Sequence, residues 1–383
     1  MNEPLPGAPE PWAASEMPAF RARPPYFMSE MIAAEPALAE RLIHRLSSDD
    51  TVEGLVAAVR ETAAAGRSIM TTGCGTSEHA AMGVAAFLNE ALDLPAGRDV
   101  RAIAALETLA RPLTDGLLIA ISHEGGTTIT NEALRAARAS GARTALITVG
   151  RRSPGAELAD NVVATHEQDQ SWCHTVGYLS PLVAGLVISA RLSRTKLDAL
   201  AIRAMLEGAD DPHAAASMAS ALAGSDRLII VGAGVDRVSA RELAIKVAEG
   251  ARMPAMALEL ETVLHGHLAA ATRWTGLVLI STGAGQSNGP IRERRGRVLA
   301  AARALGVPAA GILSSEVAAA MPPQDTPAGR IVLPRMGRVR GVAGPLLGTA
   351  IALQILTERL ARARGVNPDT LGREDPTQAA AHG

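Results

Sequence analysis

Residues 68–77 read SIMTTGCGTS, and this stretch decides the fold of the first half of the chain. It begins with apolar and β-branched residues, which are typical of a buried strand. Gly73 and Gly75 then allow a tight turn. The Ala-rich segment 77–92 follows with the periodicity of a helix. The stretch therefore predicts a strand, a glycine turn and a helix in direct succession.

The same layout recurs at 228–234, LIIVGAG, where a helical pattern again follows the glycines. Each copy continues with a second buried strand that ends at a serine, a turn rich in Gly, Thr and Ser, a helix and a further strand. Gly73 and Gly232 are 159 residues apart, and so are Ser122 and Ser281. A shared spacing at two separate turns favours duplication over coincidence. Strands that alternate with helices predict an α/β fold of two tandem modules, each a parallel sheet covered by helices on both faces.

The length of 383 residues suits two domains of ordinary size. Acidic residues and a proline interrupt the helical pattern at 209–212, which favours a boundary there. We therefore expect a proline-rich arm at 1–25, a first domain at 26–209, a second domain at 210–365 and a C-terminal tail at 366–383.

The composition of the chain limits the classes of binding partner that are expected. The formal net charge of −2 gives no broad basic surface, so nucleic acid is not an expected partner and a small molecule suits the chain better. No charge-free apolar stretch is long enough to span a bilayer, and the first 25 residues lack the pattern of a signal peptide, so no membrane association is expected. Cys74 and Cys173 are the only cysteines, which favours a reducing, cytoplasmic setting without a disulfide framework or structural zinc.

Two turns are candidate ligand sites. Residues 75–77 and 122–127 each follow a strand and precede a helix, where backbone N–H groups and the helix dipole favour an anion such as phosphate. Parallel strands would bring both turns to one crevice at their carboxyl ends. The alternative is that Ser77 and Thr127 only cap their helices. The GAG turn at 232–234 is weak evidence for a dinucleotide, because Arg237 stands where a third glycine is needed.

These motifs resemble the SIS-domain sugar isomerases and deaminases, including the isomerase half of glutamine:fructose-6-phosphate aminotransferase. The likeness covers 26 to about 372, and it implies two three-layer αβα modules with a flavodoxin-like sheet. The GCGTS and SHEGGT turns are similar to the family's phosphate turns, and His174-Thr175 stands at the position of a Ser-Thr pair that contacts substrate. The substrate-binding residues implied by the resemblance are Cys74, Gly75, Thr76, Ser77, Ser122, His123, Glu124, Thr127, His174, Thr175, Glu242 and Arg373.

The segment 232–266 carries the catalytic residues that the resemblance implies. Isomerisation moves a proton between C1 and C2 through an enediol, and it needs a base and a stabiliser of negative charge. Glu249 is the expected base and Lys246 the stabiliser. His265 is expected to assist ring opening from a neighbouring subunit, which implies a homodimer. The alternative is an ordinary surface ion pair between Glu242 and Lys246, which are spaced i,i+4.

Two departures from the family bear on the substrate. Glu124 replaces a serine of the second phosphate turn, and its charge would repel phosphate. Either Glu124 points away from the ligand, or the substrate carries a hydroxyl, an amine or an unusual anion where the family's substrate carries phosphate. Arg373 is the cation nearest to the position of a family lysine that closes over the sugar, but arginine cannot form a Schiff base. No glutaminase half is recognisable, so amination from glutamine is not expected.

The resulting prediction is a hexose isomerase or deaminase that needs no cofactor and no metal. A non-catalytic sugar-binding sensor built on the same modules is the alternative.

Overall fold

The computed structural model describes residues 21–381 apart from 96, 284, 285, 287, 336, 338 and 340. Most of the predicted arm at 1–25 and the last two residues of the predicted tail lie outside the described residues. Contacts divide the described chain into two units. Unit 1 contains 34–169 and 176–203, and unit 2 contains 21–33, 170–175 and 204–381.

Unit 1 is built on a parallel sheet of five strands in the order β2-β1-β3-β4-β5. Its strands are β1 (Ile69–Gly73), β2 (Arg101–Ala104), β3 (Leu117–Ile121), β4 (Arg143–Thr148) and β5 (Asn161–Ala164). The helices in this part of the chain are α1 (Phe27–Leu46), α2 (Asp50–Ala64), α3 (Thr76–Leu92), α4 (Ala105–Ala110), α5 (Thr128–Ala139), α6 (Val176–Leu192) and α7 (Ala199–Ala209).

Unit 2 repeats this topology, because its parallel sheet has the order β7-β6-β8-β9-β10. Its strands are β6 (Arg227–Gly232), β7 (Ala255–Glu259), β8 (Thr275–Ser281), β9 (Ala309–Ser314) and β10 (Arg330–Leu333). The helices are α8 (Pro212–Leu222), α9 (Asp236–Gly250), α10 (Gly289–Ala304), α11 (Ser315–Ala319), α12 (Ala343–Ala363) and α13 (Pro376–Ala381).

The central strands explain why the sheets are parallel and enclosed. Every residue of β1, β3 and β8 is buried, so both faces of these strands are covered. Continuous apolar strands of this kind need helices on both sides of the sheet. The predicted fold class, two α/β modules in tandem, is confirmed. None of the described helices is both long and apolar enough to cross a membrane.

Candidate functional site

The glycine turn of unit 1 connects β1 to α3. A Cβ atom on Gly73 would lie 2.5 Å from the carbonyl oxygen of Ser77, so the chain can pass this closely only at a glycine. Gly75 has a φ of 59°, a conformation that side chains disfavour. Thr76 is buried, Ser77 is partly exposed and Cys74 is exposed. Because Gly75 is the N-cap residue of α3, Ser77 lies inside the helix and is not its cap.

The second turn of unit 1 connects β3 to α5. Ser122 is buried, and its hydroxyl lies 3.4 Å from the hydroxyl of Thr127. Thr127 is the N-cap residue of α5, but its side chain makes no capping hydrogen bond and is exposed. Strands β1 and β3 are neighbours, so the two turns lie at the point in this sheet order where α/β proteins bind ligands.

Residues 168 and 169 hold the two polar side chains of the second turn. Nε2 of His123 accepts a hydrogen bond from the backbone N–H of Asp169 at 3.0 Å. The side-chain amide of Gln168 donates to Glu124 at 3.1 Å. Burial raises the pKa of Glu124, the Gln168 hydrogen bond offsets part of this rise, and the negative charge of Asp169 adds to it. The turn therefore carries a carboxyl group that is easier to protonate than an exposed one.

An ion cluster on α9 is the chemical centre of unit 2. Lys246 has no exposed surface, and its Nζ lies 2.7 Å from Glu249 and 3.7 Å from the fully buried Glu242. Burial alone would lower the pKa of Lys246, but the charges of Glu249, Cys173 and Glu242 outweigh it and raise that pKa. Lys246 therefore keeps its proton. The alternative of a surface ion pair between Glu242 and Lys246 is wrong, because both side chains are buried.

The segment 170–175 packs beside this cluster within unit 2. The sulfur of Cys173 lies 3.9 Å from the carbonyl oxygen of Lys246. Burial of the ring and the Lys246 ammonium lower the pKa of His174 to about 3, so its imidazole is neutral at physiological pH. The carbonyl of Thr175 accepts a hydrogen bond from the side chain of Gln354 at 3.2 Å. A neutral imidazole can exchange hydrogen bonds with a sugar hydroxyl.

The predicted C-terminal cation also joins this part of unit 2. The guanidinium of Arg373 stacks on the ring of Trp172, 3.8 Å from its centroid. The backbone N–H of Trp172 donates to the carbonyl of Asp369 at 3.1 Å, which attaches the tail to the segment that carries His174. Sequence reasoning missed Trp172 and Cys173 as neighbours of the centre, although both lie within two residues of His174 in the chain.

His265 lies on the loop after β7, with 71% of its side chain exposed. Its Nε2 is 2.9 Å from a carboxylate oxygen of Glu261, and this hydrogen bond lowers the pKa of Glu261. His265 also lines an open pocket of about 280 Å³ together with Met256 and His267. Within the described chain, the partner of His265 is therefore Glu261, whereas Glu249 pairs with Lys246. The described residues contain no cluster of three His, Cys, Asp or Glu side chains that could hold a metal ion.

Residues 64–190 match the family model of the SIS domain. The chain contains a SIS domain. The matched residues include both polar turns of unit 1, which places those turns within the SIS domain. Lys246, Glu249 and His265 lie outside the matched range.

A curated relative extends the comparison beyond the SIS domain match. The chain is 30% identical over 280 residues to glutamine–fructose-6-phosphate aminotransferase [isomerizing] from Symbiobacterium thermophilum. The alignment covers 67% of this chain and 45% of that protein, so the chain spans a little under half of its relative. The chain is homologous to the isomerase domain of that enzyme type.

Two solved structures share the fold of most of the chain. The C-terminal domain of glucosamine-fructose-6-phosphate aminotransferase from Francisella tularensis has a TM-score of 0.78 at 19% identity, and the match covers 92% of this chain and 100% of that one. Tagatose-6-phosphate ketose/aldose isomerase from Escherichia coli has a TM-score of 0.72 at 19% identity, over 94% and 98% of the two chains. At such identities the likeness establishes the fold alone.

Proposed function

We propose that this SIS-domain protein is an aldose–ketose isomerase or deaminase that acts on a hexose derivative, either an amino sugar or a sugar phosphate. The observation that carries the proposal is the contact between the buried Lys246 ammonium and Glu249, whose side chain is 25% exposed. A carboxylate held by a buried cation, yet accessible from outside, suits a base that removes a proton from a bound sugar.

In the proposed reaction, the carboxylate of Glu249 takes the proton from the carbon next to the carbonyl of the open-chain sugar. An enediolate forms, and Glu249 returns the proton to the neighbouring carbon while the hydroxyl proton on the deprotonated carbon passes to the former carbonyl oxygen, so the carbonyl moves by one position. Lys246 stabilises the negative charge on the carboxylate and on the enediolate. Because its pKa is raised, Lys246 acts as a fixed charge and not as a nucleophile. His174, being neutral, hydrogen-bonds a sugar hydroxyl.

The polar turns of unit 1 are proposed to bind the anionic or polar group of a ligand. Helices α3 and α5 direct their N-terminal N–H groups towards these turns, and Ser77, Ser122 and Thr127 supply hydroxyl groups. Glu124 is proposed to decide which group is accepted. A charged Glu124 disfavours a phosphate dianion, whereas its raised pKa reduces that repulsion.

Solvent proton exchange tests the proposal without knowledge of the product. Candidate hexoses, with and without phosphate or amine, are incubated with the protein in heavy water, and deuterium at C1 or C2 is followed by NMR. The wild type should exchange one of them, and Glu249→Gln should slow the exchange at least 100-fold with little change in ligand affinity. Glu293→Gln, at an exposed carboxylate of α10, is the matched control. Ligand-induced stabilisation without any exchange would instead support a sensor.

The protein is further proposed to act as a cytoplasmic homodimer in which His265 serves the partner subunit. Support comes from its exposure and from the exposed apolar side chains of Met256 and Trp274 in the same unit. Co-refolding equal amounts of His265→Ala and Glu249→Gln chains should restore about a quarter of wild-type activity, since half of the dimers are mixed and each has one intact site. Activity no higher than that of the separate variants would contradict the exchange.

A further inference from the structure

The second turn of unit 2 surrounds a carboxylate of the protein itself. Asp236, the first residue of α9, is 1% exposed. Its Oδ2 accepts hydrogen bonds from the backbone N–H groups of Thr282 at 2.8 Å and Gly283 at 3.2 Å, and from the side-chain amide of Gln286 at 2.7 Å. The hydroxyl of Thr282 donates to Oδ1. Burial raises the pKa of this carboxyl group, and these donors offset part of the rise.

The position of Asp236 corresponds to that of Ser77 in unit 1. The two residues are separated by the same 159 residues that relate the glycine turns. The backbones also agree, since Gly75 has a φ of 59° and Gly234 a φ of 58°. One glycine in each turn also passes close to the helix that follows, as a Cβ would lie 2.5 Å from the carbonyl oxygen of Ser77 at Gly73 and 2.7 Å from that of Asp236 at Gly232.

The turns that follow β3 and β8 correspond in the same way. The hydroxyl of Ser122 lies 3.4 Å from the side-chain oxygen of Thr127, and that of Ser281 lies 2.7 Å from the side-chain oxygen of Gln286. The residues of unit 1 that match Thr282, Gly283 and Gln286 are therefore His123, Glu124 and Thr127.

Asp236 does not act as an ordinary cap of its own helix. The N-cap residue of α9 is Val235, and the carboxylate of Asp236 binds the turn after β8. It thus connects two strand-to-helix turns, as a bound anion does when two such turns face one crevice.

We propose that Asp236 occupies an anion-binding position of unit 2, so that this position is closed by the protein's own carboxylate. The corresponding position of unit 1, beside Ser77, remains for the anionic or polar group of a ligand. The part that concerns unit 1 rests on the proposed function. Burial supports the contrast, because Asp236, Thr282 and Gln286 are all at most 4% exposed, whereas Ser77 is partly exposed and Thr127 is exposed.

Exchanging the two residues tests the proposal, with inorganic phosphate as the probe and calorimetry as the readout. Asp236→Ser gives unit 2 the side chain that unit 1 has, and it should bind one phosphate more per chain than the wild type. Ser77→Asp should abolish the phosphate binding that the polar turns of unit 1 provide in the wild type. Asp226→Ser, at an exposed aspartate of the same unit, is the control and should gain no phosphate.

Phosphate-dependent stability keeps the test decisive if Asp236→Ser folds poorly. Phosphate should then raise the melting temperature of this variant more than that of the wild type. An Asp236→Ser protein with neither an additional phosphate nor a larger shift in melting temperature would overturn the proposal. Turnover is not measured, so a failure of the isomerase assignment would be recognised separately in the proton-exchange assay.

Discussion

Replacing Lys246 with methionine should strongly destabilise unit 2. The Lys246 ammonium is fully buried and lies within 4 Å of two carboxylates, those of Glu249 and Glu242. Methionine has a similar length but no charge, so Glu242 would lose this cation inside the protein. Removal of one partner from a buried ion pair costs about 3–5 kcal/mol. We expect the free energy of unfolding of unit 2 to fall by about that amount.

The two carboxylates should contribute unequally to this loss. Glu249 is 25% exposed, so water can solvate it when the ammonium is removed, whereas Glu242 has no exposed side-chain surface. Adding Glu242→Gln to Lys246→Met removes the buried negative charge as well. The double variant should recover about 1–3 kcal/mol, a coupling typical of groups in direct contact. Adding Glu249→Gln instead should recover less.

Urea unfolding followed by tryptophan fluorescence measures these changes in the free energy of unfolding of unit 2. The chain has three tryptophans, and all variants are therefore made in a Trp12→Phe background. Trp172 and Trp274 both belong to unit 2, so their emission then reports that unit, and circular dichroism follows both units. A loss below about 1 kcal/mol for Lys246→Met would refute the argument that this buried pair is costly to break. Strictly additive effects of Lys246→Met and Glu242→Gln would refute the assigned partner.

Two further predictions concern charge and pH. Glu124→Ser should tighten phosphate-bearing sugars by about tenfold or more in calorimetry, because it removes a carboxyl group from the turn, and equal affinities would show that Glu124 does not face the ligand. The lowered pKa of His174 keeps it neutral when folded, so unfolding takes up a proton below its ordinary pKa of 6.5. Between pH 7 and pH 5 this should cost the wild type about 2 kcal/mol of stability that His174→Gln retains, as measured by urea unfolding at both pH values; parallel pH profiles would contradict it.

The central strands could be predicted because each is a run of apolar and β-branched residues, which is typical of a strand buried on both faces. The second buried strand of the first copy was predicted to end at Ser122, and β3 spans Leu117–Ile121. The edge strands β2 and β5 have four residues each and are partly exposed, so they lack the continuous apolar run that marks a buried strand. These two segments form strands because they pair with a neighbouring strand, and the local sequence does not predict that pairing.

The ion cluster on α9 could be anticipated from the spacing of its residues, but its buried environment could not. The spacing of Glu242, Lys246 and Glu249 places them on one side of a helix, but the same spacing is typical of exposed ion pairs. Burial depends on the segments packed against α9, and these include the distant Cys173 and Thr357. The lowered pKa of His174 has the same origin, since it requires burial of the ring and, beside it, the Lys246 ammonium, which is far away in sequence.

The inferred role of Asp236 also concerns the helix that carries the candidate centre of unit 2. The carboxylate that closes the anion-binding position of unit 2 belongs to the first residue of α9, and the same helix carries Lys246 and Glu249. Four hydrogen bonds from the turn after β8 therefore fix the start of the helix on which the proposed proton transfer depends. A freely exchanging ligand at this position would make the placement of α9 depend on occupancy. An internal carboxylate removes that dependence, because the helix is anchored whether or not substrate is bound.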